Sequence, residues 1–262
     1  MTATVLALCN QKGGVGKTTI TVNLAEALTR LGRRVLLVDA DPQANASSHV
    51  GIEDSPPFTL NDVLTVDPST RQVTSGVLAE AVVPAGEGWN GVQVVAAELA
   101  LAGREQDQDL GREYRLRTAM EGTLAAWDVV LIDCPPSLGQ LTVNALTAAD
   151  AALLVTEPRA ASVEGLAQMT RTLATVRQHF NSDLRLAGVV VNRYRPDRRD
   201  RVEWADQLRA DYAEHLVEPF VPEREVVATA ASAAAPLSAY GAKAREVTDA
   251  LTAIAARVLP PA

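Results

Sequence analysis

Residues 10–19, with the sequence NQKGGVGKTT, constrain the fold more than any other stretch of the chain. The apolar residues 4–8 before them have the composition of a buried strand, and residues 20–31 after them place apolar side chains at helical spacing. Strand, glycine-rich loop and helix in this order are typical of a phosphate-binding loop. The glycines allow backbone N–H groups to approach phosphate oxygens, and the helix adds the positive end of its dipole.

The lysines of this loop stand out against the rest of the chain. The usual loop reads Gly-x-x-x-x-Gly-Lys-Ser/Thr, and Gln11 stands where its first glycine is expected. The chain contains 21 Arg and only three Lys, of which Lys12 and Lys17 lie in the loop. A compact ammonium suits a phosphate among backbone amides better than a planar guanidinium does. We therefore predict chemical roles for both lysines.

The loop supplies most of the predicted nucleotide contacts. Lys17 is expected to reach the β- and γ-phosphates, and the Thr18 hydroxyl is expected to bind Mg²⁺. The predicted nucleotide-binding residues of the loop are Gly13, Gly14, Val15, Gly16, Lys17, Thr18 and Thr19.

The overall composition limits the class of protein. A hydrophobic content of 47% provides an ample core, and aromatics at 4% make that core aliphatic. No apolar run approaches the ~20 residues of a membrane span. Cys9 and Cys134, the two cysteines, each end a predicted strand, so we expect reduced, buried thiols in a cytoplasmic protein. A net charge of −8 argues against a surface that grips nucleic acid everywhere, although a local basic patch is compatible with it.

Predicted strands and helices alternate along the chain. Strands are expected at residues 4–8, 33–41, 92–97, 127–133, 151–156 and 186–192. Helices are expected at residues 20–31, 60–64, 105–126, 141–146, 162–179, 198–216 and 242–259. This pattern predicts an α/β fold with a mostly parallel, twisted sheet and helices on both faces. Without a recognisable linker, we expect one domain spanning residues 1–262.

Three aspartates follow apolar strands. Asp39, Asp41 and Asp133 stand at predicted carboxyl ends, where ligands bind in such sheets. Asp133 has the position of an acid that holds Mg²⁺, and we expect it to act through a water molecule. Of Asp39 and Asp41, one would organise the metal shell and the other would orient the attacking water. Helix-cap and turn roles are the structural alternatives.

Four long motifs, in order, carry a resemblance to a known family. They are NQKGGVGKTT at residues 10–19, VLLVDADPQ at 35–43, LIDCPPSLG at 131–139 and TVNALTAAD at 142–150. Together they resemble the ParA-type (Soj-like) partition ATPases, P-loop NTPases of the deviant Walker A group that also holds MinD. The resemblance extends over nearly the whole chain.

The resemblance implies roles for individual residues. Lys12 would reach the partner's phosphates in an ATP-sandwich dimer, the part that an arginine finger plays elsewhere. Asp41 would position the hydrolytic water, and Asp39 would support the metal shell with Thr18 and Asp133. Residues 135–139 would form the switch that senses the γ-phosphate. Asn192 and Pro222 would lie on the adenine side.

The resemblance also implies partners. ParA dimers with ATP bind DNA without sequence preference, and a ParB-type protein stimulates hydrolysis and release. Residues 193–201 contain five Arg and two Asp, a pattern that suits phosphate contacts, although a salt-bridged helix start is the alternative. The candidate DNA contacts are Arg195, Arg198, Arg199, Arg201 and Arg224. After Pro222, however, Glu223 and Val226 stand where the family usually has arginines, which weakens this expectation.

Several other functions share parts of this sequence pattern. A MinD-like membrane role requires an interfacial helix, but the stripe of Val247, Leu251, Ile254 and Val258 is better suited to pack on a sheet. An iron–sulfur reductase is disfavoured because Cys9 and Cys134 lie beside the phosphate site. Amide-forming relatives use the same loop, and an orphan relative that positions a non-DNA cargo is the main alternative. The preferred function is a cytoplasmic, nucleoid-associated, Mg²⁺-dependent ATPase that segregates a plasmid or chromosome.

Overall fold

The computed structural model describes residues 3–259, apart from the side chains of residues 161 and 163. These residues form one eight-stranded sheet in the order β3-β4-β2-β5-β1-β6-β7-β8. The strands are β1 (Thr4–Cys9), β2 (Val35–Asp39), β3 (Val82–Pro84), β4 (Val92–Val95), β5 (Val129–Asp133), β6 (Ala151–Thr156), β7 (Arg185–Val191) and β8 (Leu216–Val217). Neighbouring strands pair in parallel, except that β3 is antiparallel to β4. The predicted mostly parallel sheet is confirmed.

Helices cover both faces of the sheet. They are α1 (Lys17–Arg30), α2 (Asn45–His49), α3 (Leu60–Val63), α4 (Arg115–Met120), α5 (Gln140–Ala148), α6 (Ala160–His179), α7 (Arg199–Asp211), α8 (Glu225–Ser232) and α9 (Arg245–Val258). Side chains of β1 alternate between two apolar clusters: Val5 and Ala7 face α5 and α6, whereas Leu6 and Leu8 face α1 and α9. Burial on both faces explains why the central strands are apolar throughout.

The strand order brings the carboxyl ends of β1, β2 and β5 next to one another. β5 lies between β1 and β2, and Asp133 at its end is in register with Leu8 on one side and Asp39 on the other. The loop after β1 therefore begins beside both aspartates. Parallel pairing places them at one edge of the sheet, as the motifs predict.

One predicted element is wrong. Residues 105–126 do not form a single helix but a series of short ones: 3₁₀ turns at Leu99–Gln106, Arg112–Tyr114 and Leu124–Ala126, with α4 in between. Gly111, with φ of 77°, interrupts the helical backbone. The buried Arg115 ties these pieces together, since its guanidinium binds Asp107, Asp109 (2.7 Å) and the Leu64 carbonyl (3.0 Å).

Smaller differences lie at the edges of the sheet. The helix predicted at 198–216 ends at Asp211 and is followed by β8, and the antiparallel β3 and the alanine-rich α8 were not predicted. The stripe of α9 is buried at Val247, Leu251 and Ile254, as expected, but α9 packs against α1 more than against the sheet. Among the described residues, no helix combines the length and apolar character needed to cross a bilayer.

Replacing Arg115 with Met should destabilise the fold by about 3 kcal/mol, because two carboxylates would lose their buried cation. Arg117→Met, an exposed position on the same helix, is the matched control and should change stability by less than about 0.5 kcal/mol. Urea denaturation measures both. Equal stabilities of the two variants would show that the ion pairs do not hold this segment.

Candidate active site

The loop between β1 and α1 is held from two neighbouring strand ends. Asn10 donates its side-chain amide to the Val155 carbonyl on β6 (2.6 Å) and accepts the backbone N–H of Lys12 (2.9 Å). On the other side, Asn192 donates to the Val15 carbonyl (2.9 Å), and Arg193 donates to the Gly14 carbonyl (2.7 Å). These bonds fix the loop through the carbonyls of Gly14 and Val15 and through one of its N–H groups, that of Lys12.

Gly16 shows why the loop needs glycine. Its φ of 85° lies in the left-handed region, and a Cβ there would collide with the Asn192 amide. α1 begins at the next residue, Lys17, and its first turn has neither an acidic residue nor a side-chain cap within the described chain. The N–H groups of that turn are therefore available to an anion.

Asp133 is the centre of the polar contacts below the loop. It is fully buried, and its two oxygens accept hydroxyl hydrogen bonds from Thr18 and Thr21, each at 2.7 Å. Burial raises the pKa of Asp133, while the two hydroxyls and the charge of Lys17 oppose that rise. Thr21 was not singled out from the sequence, although its spacing from Thr18 puts both residues on one helix face.

Asp39 is equally buried, but its contacts are structural. It accepts the backbone N–H and the hydroxyl of Ser47, both at 2.8 Å, and the backbone N–H of Asp41 at 3.2 Å. Burial and the charge of Asp133 raise the pKa of Asp39 to about 7. These contacts connect the end of β2 to α2, so Asp39 supports the site, and direct binding of metal by Asp39 stays a prediction.

Asp41 lies on the turn that follows β2. Its carboxylate accepts the Gln43 N–H at 3.0 Å, and its backbone carbonyl accepts the Ala44 N–H at 2.9 Å. The other carboxylate oxygen accepts no hydrogen bond from the described residues. This arrangement leaves Asp41 able to bind a water molecule, and its predicted role stays open.

The donor set suits a magnesium ion. Thr18 and Asp133 offer oxygen ligands in contact with each other, and Mg²⁺ typically takes one or two protein oxygens and keeps its remaining sites for water and phosphate. The described residues contain no group of three or more His, Cys, Asp and Glu side chains arranged to hold a metal. A bound cation would also offset the cost of ionising Asp133 in its buried position.

A cavity of about 630 Å³ adjoins the loop on the side of β7, a volume in the range of small-molecule sites. Asn192 and Pro222, predicted for the adenine side, both line it. The other residues that line it come from the start of α1, from the segment after β7, and from α8 with the two residues before it. They are Thr19, Arg193, Arg195, Glu223, Arg224, Glu225, Val227, Ala228, Ala231 and Ser232. The structure therefore brings the two predicted adenine-side residues together with Thr19.

Sequence reasoning missed the use of Arg193 at this site. Its guanidinium joins the Gly14 carbonyl to Glu157 (2.7 Å), a nearly buried carboxylate just after β6. Glu157 also binds Arg159 at 3.0 Å. Arg193 has a left-handed φ of 53°, which no sequence pattern indicated.

Most of the arginines predicted to contact DNA pair with acids. Arg195 binds Asp197 (2.8 Å), Arg199 binds Glu203 (2.9 Å), and Arg201 lies 3.6 Å from Asp200. Arg224 binds Glu246 at 2.5 Å. Arg198 precedes α7 as its N-cap residue. The DNA contacts stay a prediction, and the salt-bridged alternative describes the present geometry.

Comparison with known proteins identifies the family. An AAA domain model matches residues 3–186. The chromosome partitioning protein ParA of Caulobacter vibrioides is 40% identical over 249 residues, covering 91% of this chain and 88% of ParA. The sporulation initiation inhibitor protein Soj of Bacillus subtilis is 34% identical over 244 residues, covering 92% of each. The chain belongs to the ParA/Soj family of partition ATPases.

Solved structures agree with this fold. A Mycobacterium smegmatis protein described as cobyrinic acid a,c-diamide synthase, with bound ADP and magnesium, is 34% identical with a TM-score of 0.75, covering 88% of this chain and 92% of that one. A McdA variant of Cyanothece in complex with ATP has a TM-score of 0.83 at 20% identity, covering 98% and 96%. Together these structures contain ATP and magnesium, the two cofactors predicted here.

The buried aspartates should make the nucleotide-free protein less stable as pH rises. The pKa of Asp39 is about 7 in the fold against an ordinary 3.8, so between these values the native state binds more protons than the unfolded chain. Stability is therefore present at low pH and lost as pH rises. Asp39→Asn should flatten this fall by about 2 kcal/mol between about pH 5 and pH 8.

Denaturant unfolding in EDTA at several pH values measures this effect. Asp128→Asn is the control, because Arg34 lowers the pKa of Asp128 to about 2, below the tested range. Parallel pH profiles for the wild type and Asp39→Asn would contradict the assignment.

Proposed function

We propose that this chain is a Mg²⁺-dependent ATPase that dimerises on ATP, binds DNA without sequence preference, and is released when a ParB-type partner stimulates hydrolysis. The observation that carries the proposal is the phosphate loop itself, in which Thr18 contacts the buried Asp133 at 2.7 Å and a second lysine, Lys12, stands at the entrance. Such a cycle places the protein in the cytoplasm on the nucleoid, moving a plasmid or chromosome.

Each residue of the loop has a distinct task in this proposal. Lys17, which is buried, carries the charge that faces the β- and γ-phosphates. Thr18 and Asp133 hold the magnesium ion, which neutralises charge on the phosphates when bound. Asp41 holds and orients the attacking water. These tasks need positioned charges more than covalent chemistry, as in other phosphoryl transfers.

Lys12 is proposed to act on the partner's nucleotide. Its backbone is fixed by Asn10 (2.9 Å), while its side chain forms no ion pair with any described residue. A lysine held at the loop entrance without an internal carboxylate is available to phosphates across a dimer interface. Turnover by a monomer is then slow, because the second lysine is missing.

Lys12→Ala should retain ATP binding but lose at least about a hundredfold in turnover, because the charge that stabilises the transition state is gone. Lys12→Arg is the control: it keeps the charge in a planar group and should recover only part of the rate. Phosphate release and fluorescent-nucleotide binding measure the two properties. Unchanged turnover in Lys12→Ala would exclude the role across the dimer.

DNA binding in this proposal draws on the arginines around α7. The ion pairs of Arg195, Arg199 and Arg224 are exposed, and exposed ion pairs contribute only about 0–1 kcal/mol each. Phosphates can therefore replace the carboxylates at little cost, and counterion release then favours the complex. The acids nevertheless reduce the local positive charge, so the affinity should be modest and steeply dependent on salt.

The first test is DNA binding by the wild type and Asp41→Ala, with ATP, with ADP and without nucleotide, across a salt series. We expect binding only with ATP, on any sequence, and longer-lived in Asp41→Ala because hydrolysis is blocked. ATP-dependent dimers that ignore DNA at low salt would refute the partition function.

The Arg199–Glu203 pair offers a sharper test of the surface. Glu203→Gln frees the guanidinium and should strengthen DNA binding about threefold at low salt, whereas Arg199→Gln should weaken it and reduce the salt slope by about one. Arg171→Gln, exposed on α6, is the control with the same change in net charge. Equal effects of Arg199→Gln and Arg171→Gln would remove α7 from the DNA surface.

Positioning of a non-DNA cargo is the alternative. It is favoured by Glu223, which lies 3.6 Å from Arg195 and adds negative charge where the family usually has arginine. An amide-forming role, suggested by the name of the similar Mycobacterium smegmatis protein, is a different class. It predicts ATP turnover only when a carboxylic acid and an amine donor are supplied, whereas the partition proposal needs neither.

A further inference from the structure

A carboxylate from outside the nucleotide motifs holds the start of α5. Glu105, in the 3₁₀ turn Leu99–Gln106, accepts the backbone N–H of Gln140 at 2.5 Å. Gln140 is the first residue of α5 and directly follows residues 135–139. Within the described chain this helix has no side-chain cap from its own N-cap residue, Gly139, so Glu105 supplies one. Negative charge at this position also complements the helix dipole.

Gly139 provides the room for this contact. Its φ of −81° is ordinary, so any residue can adopt the backbone conformation. A Cβ at this position would, however, occupy the place of the Glu105 carboxylate. Glycine at this position thus leaves the space that the Glu105 carboxylate fills.

Residues 135–139 are fixed at both ends. At the first end, Cys134 donates its backbone N–H to the Leu8 carbonyl at 3.2 Å, next to Asp133. At the other end, Glu105 accepts the Gln140 N–H, and the Thr142 hydroxyl donates to the Ser137 carbonyl at 2.6 Å. Pro136 and Ser137 between these points are exposed. The position of the segment relative to Asp133 therefore depends on what holds α5.

The segment that carries Glu105 is itself braced. Arg104 lies 3.5 Å from Asp107, and Asp107 also binds the buried Arg115. These ion pairs hold the backbone on either side of Glu105 in place. A carboxylate held in this way can set the position of the backbone N–H that it binds.

We infer that Glu105 is a positioning residue for the phosphate-sensing segment 135–139: by holding Gln140, it sets the distance between that segment and the site at Asp133. The inference rests on the proposed ATPase function for its kinetic consequence, but the contact itself has a readout that needs no nucleotide. The consequence is a requirement of Glu105 for turnover and not for nucleotide binding.

Hydrogen exchange of residues 135–148, followed by mass spectrometry without nucleotide, tests the contact. Glu105→Ala should exchange about tenfold faster there, because the helix loses a charge-assisted hydrogen bond at its first N–H. Glu105→Gln keeps an acceptor oxygen and should be intermediate. The control is Glu113→Ala, which removes a nearby carboxylate that binds Arg112 and not Gln140. Wild-type exchange in Glu105→Ala would overturn the inference.

Gly139→Ala tests the same contact from the other side. The new Cβ should displace the Glu105 carboxylate and accelerate exchange as Glu105→Ala does. In the double variant the methyl group meets no carboxylate, so the two effects should not add. Full additivity would show that Gly139 and Glu105 act separately, and would overturn the inference.

Steady-state kinetics complete the test. Glu105→Ala should lower kcat about tenfold while KM for ATP and the affinity for ADP change less than twofold, and Glu113→Ala should change none of them. Faster exchange with unchanged kcat would reduce the contact to a structural one and refute the positioning role. A wild type without turnover would refute the proposed function and with it the kinetic role of Glu105, while the two exchange experiments would still decide whether Glu105 holds Gln140 and the segment before it.

Discussion

The contact between Thr18 and Asp133 is the interaction on which the rest of the site depends. It joins the first turn of α1 to the end of β5, and Thr21 doubles it at the same distance of 2.7 Å. Burying an ionised carboxylate costs free energy unless its oxygens accept hydrogen bonds. Two hydroxyls from one helix meet that need and thereby fix how α1 and its glycine loop sit on the sheet.

The parallel pairing of β2 and β5 places a second buried carboxylate, Asp39, beside Asp133. Asp39 and Asp133 are in register on neighbouring strands, and the charge of Asp133 raises the cost of ionising Asp39. Ser47 and the backbone of Asp41 offset part of this for Asp39. A site with closely spaced, buried carboxylates gains most when a cation is present, so affinity for magnesium and nucleotide comes at the expense of stability without them.

Several arginines on the outer surface have ion-pair partners of opposite charge. The arginines around α7 and α8 are largely matched by acids at short range, including Asp197, Glu203 and Glu246. In a chain with a net charge of −8, such pairing limits non-specific attraction to polyanions and makes binding sensitive to small changes in charge. The reversible association with DNA proposed above would benefit from that sensitivity more than from high affinity.

The sequence by itself determined the strand–loop–helix unit, the mostly parallel sheet and the aspartates at its edge, because apolar runs, glycines and acids act through local spacing. Only the tertiary structure decided the partners of those groups. Thr21, Ser47 and Arg193 join the site through contacts between distant segments. Gly111 interrupts the helix predicted at 105–126, and Arg115 holds the resulting short turns together by binding Asp107 and Asp109. The pairing of Glu105 with Gln140 spans separate elements in the same way. Such contacts depend on how elements pack, and no local pattern encodes that packing.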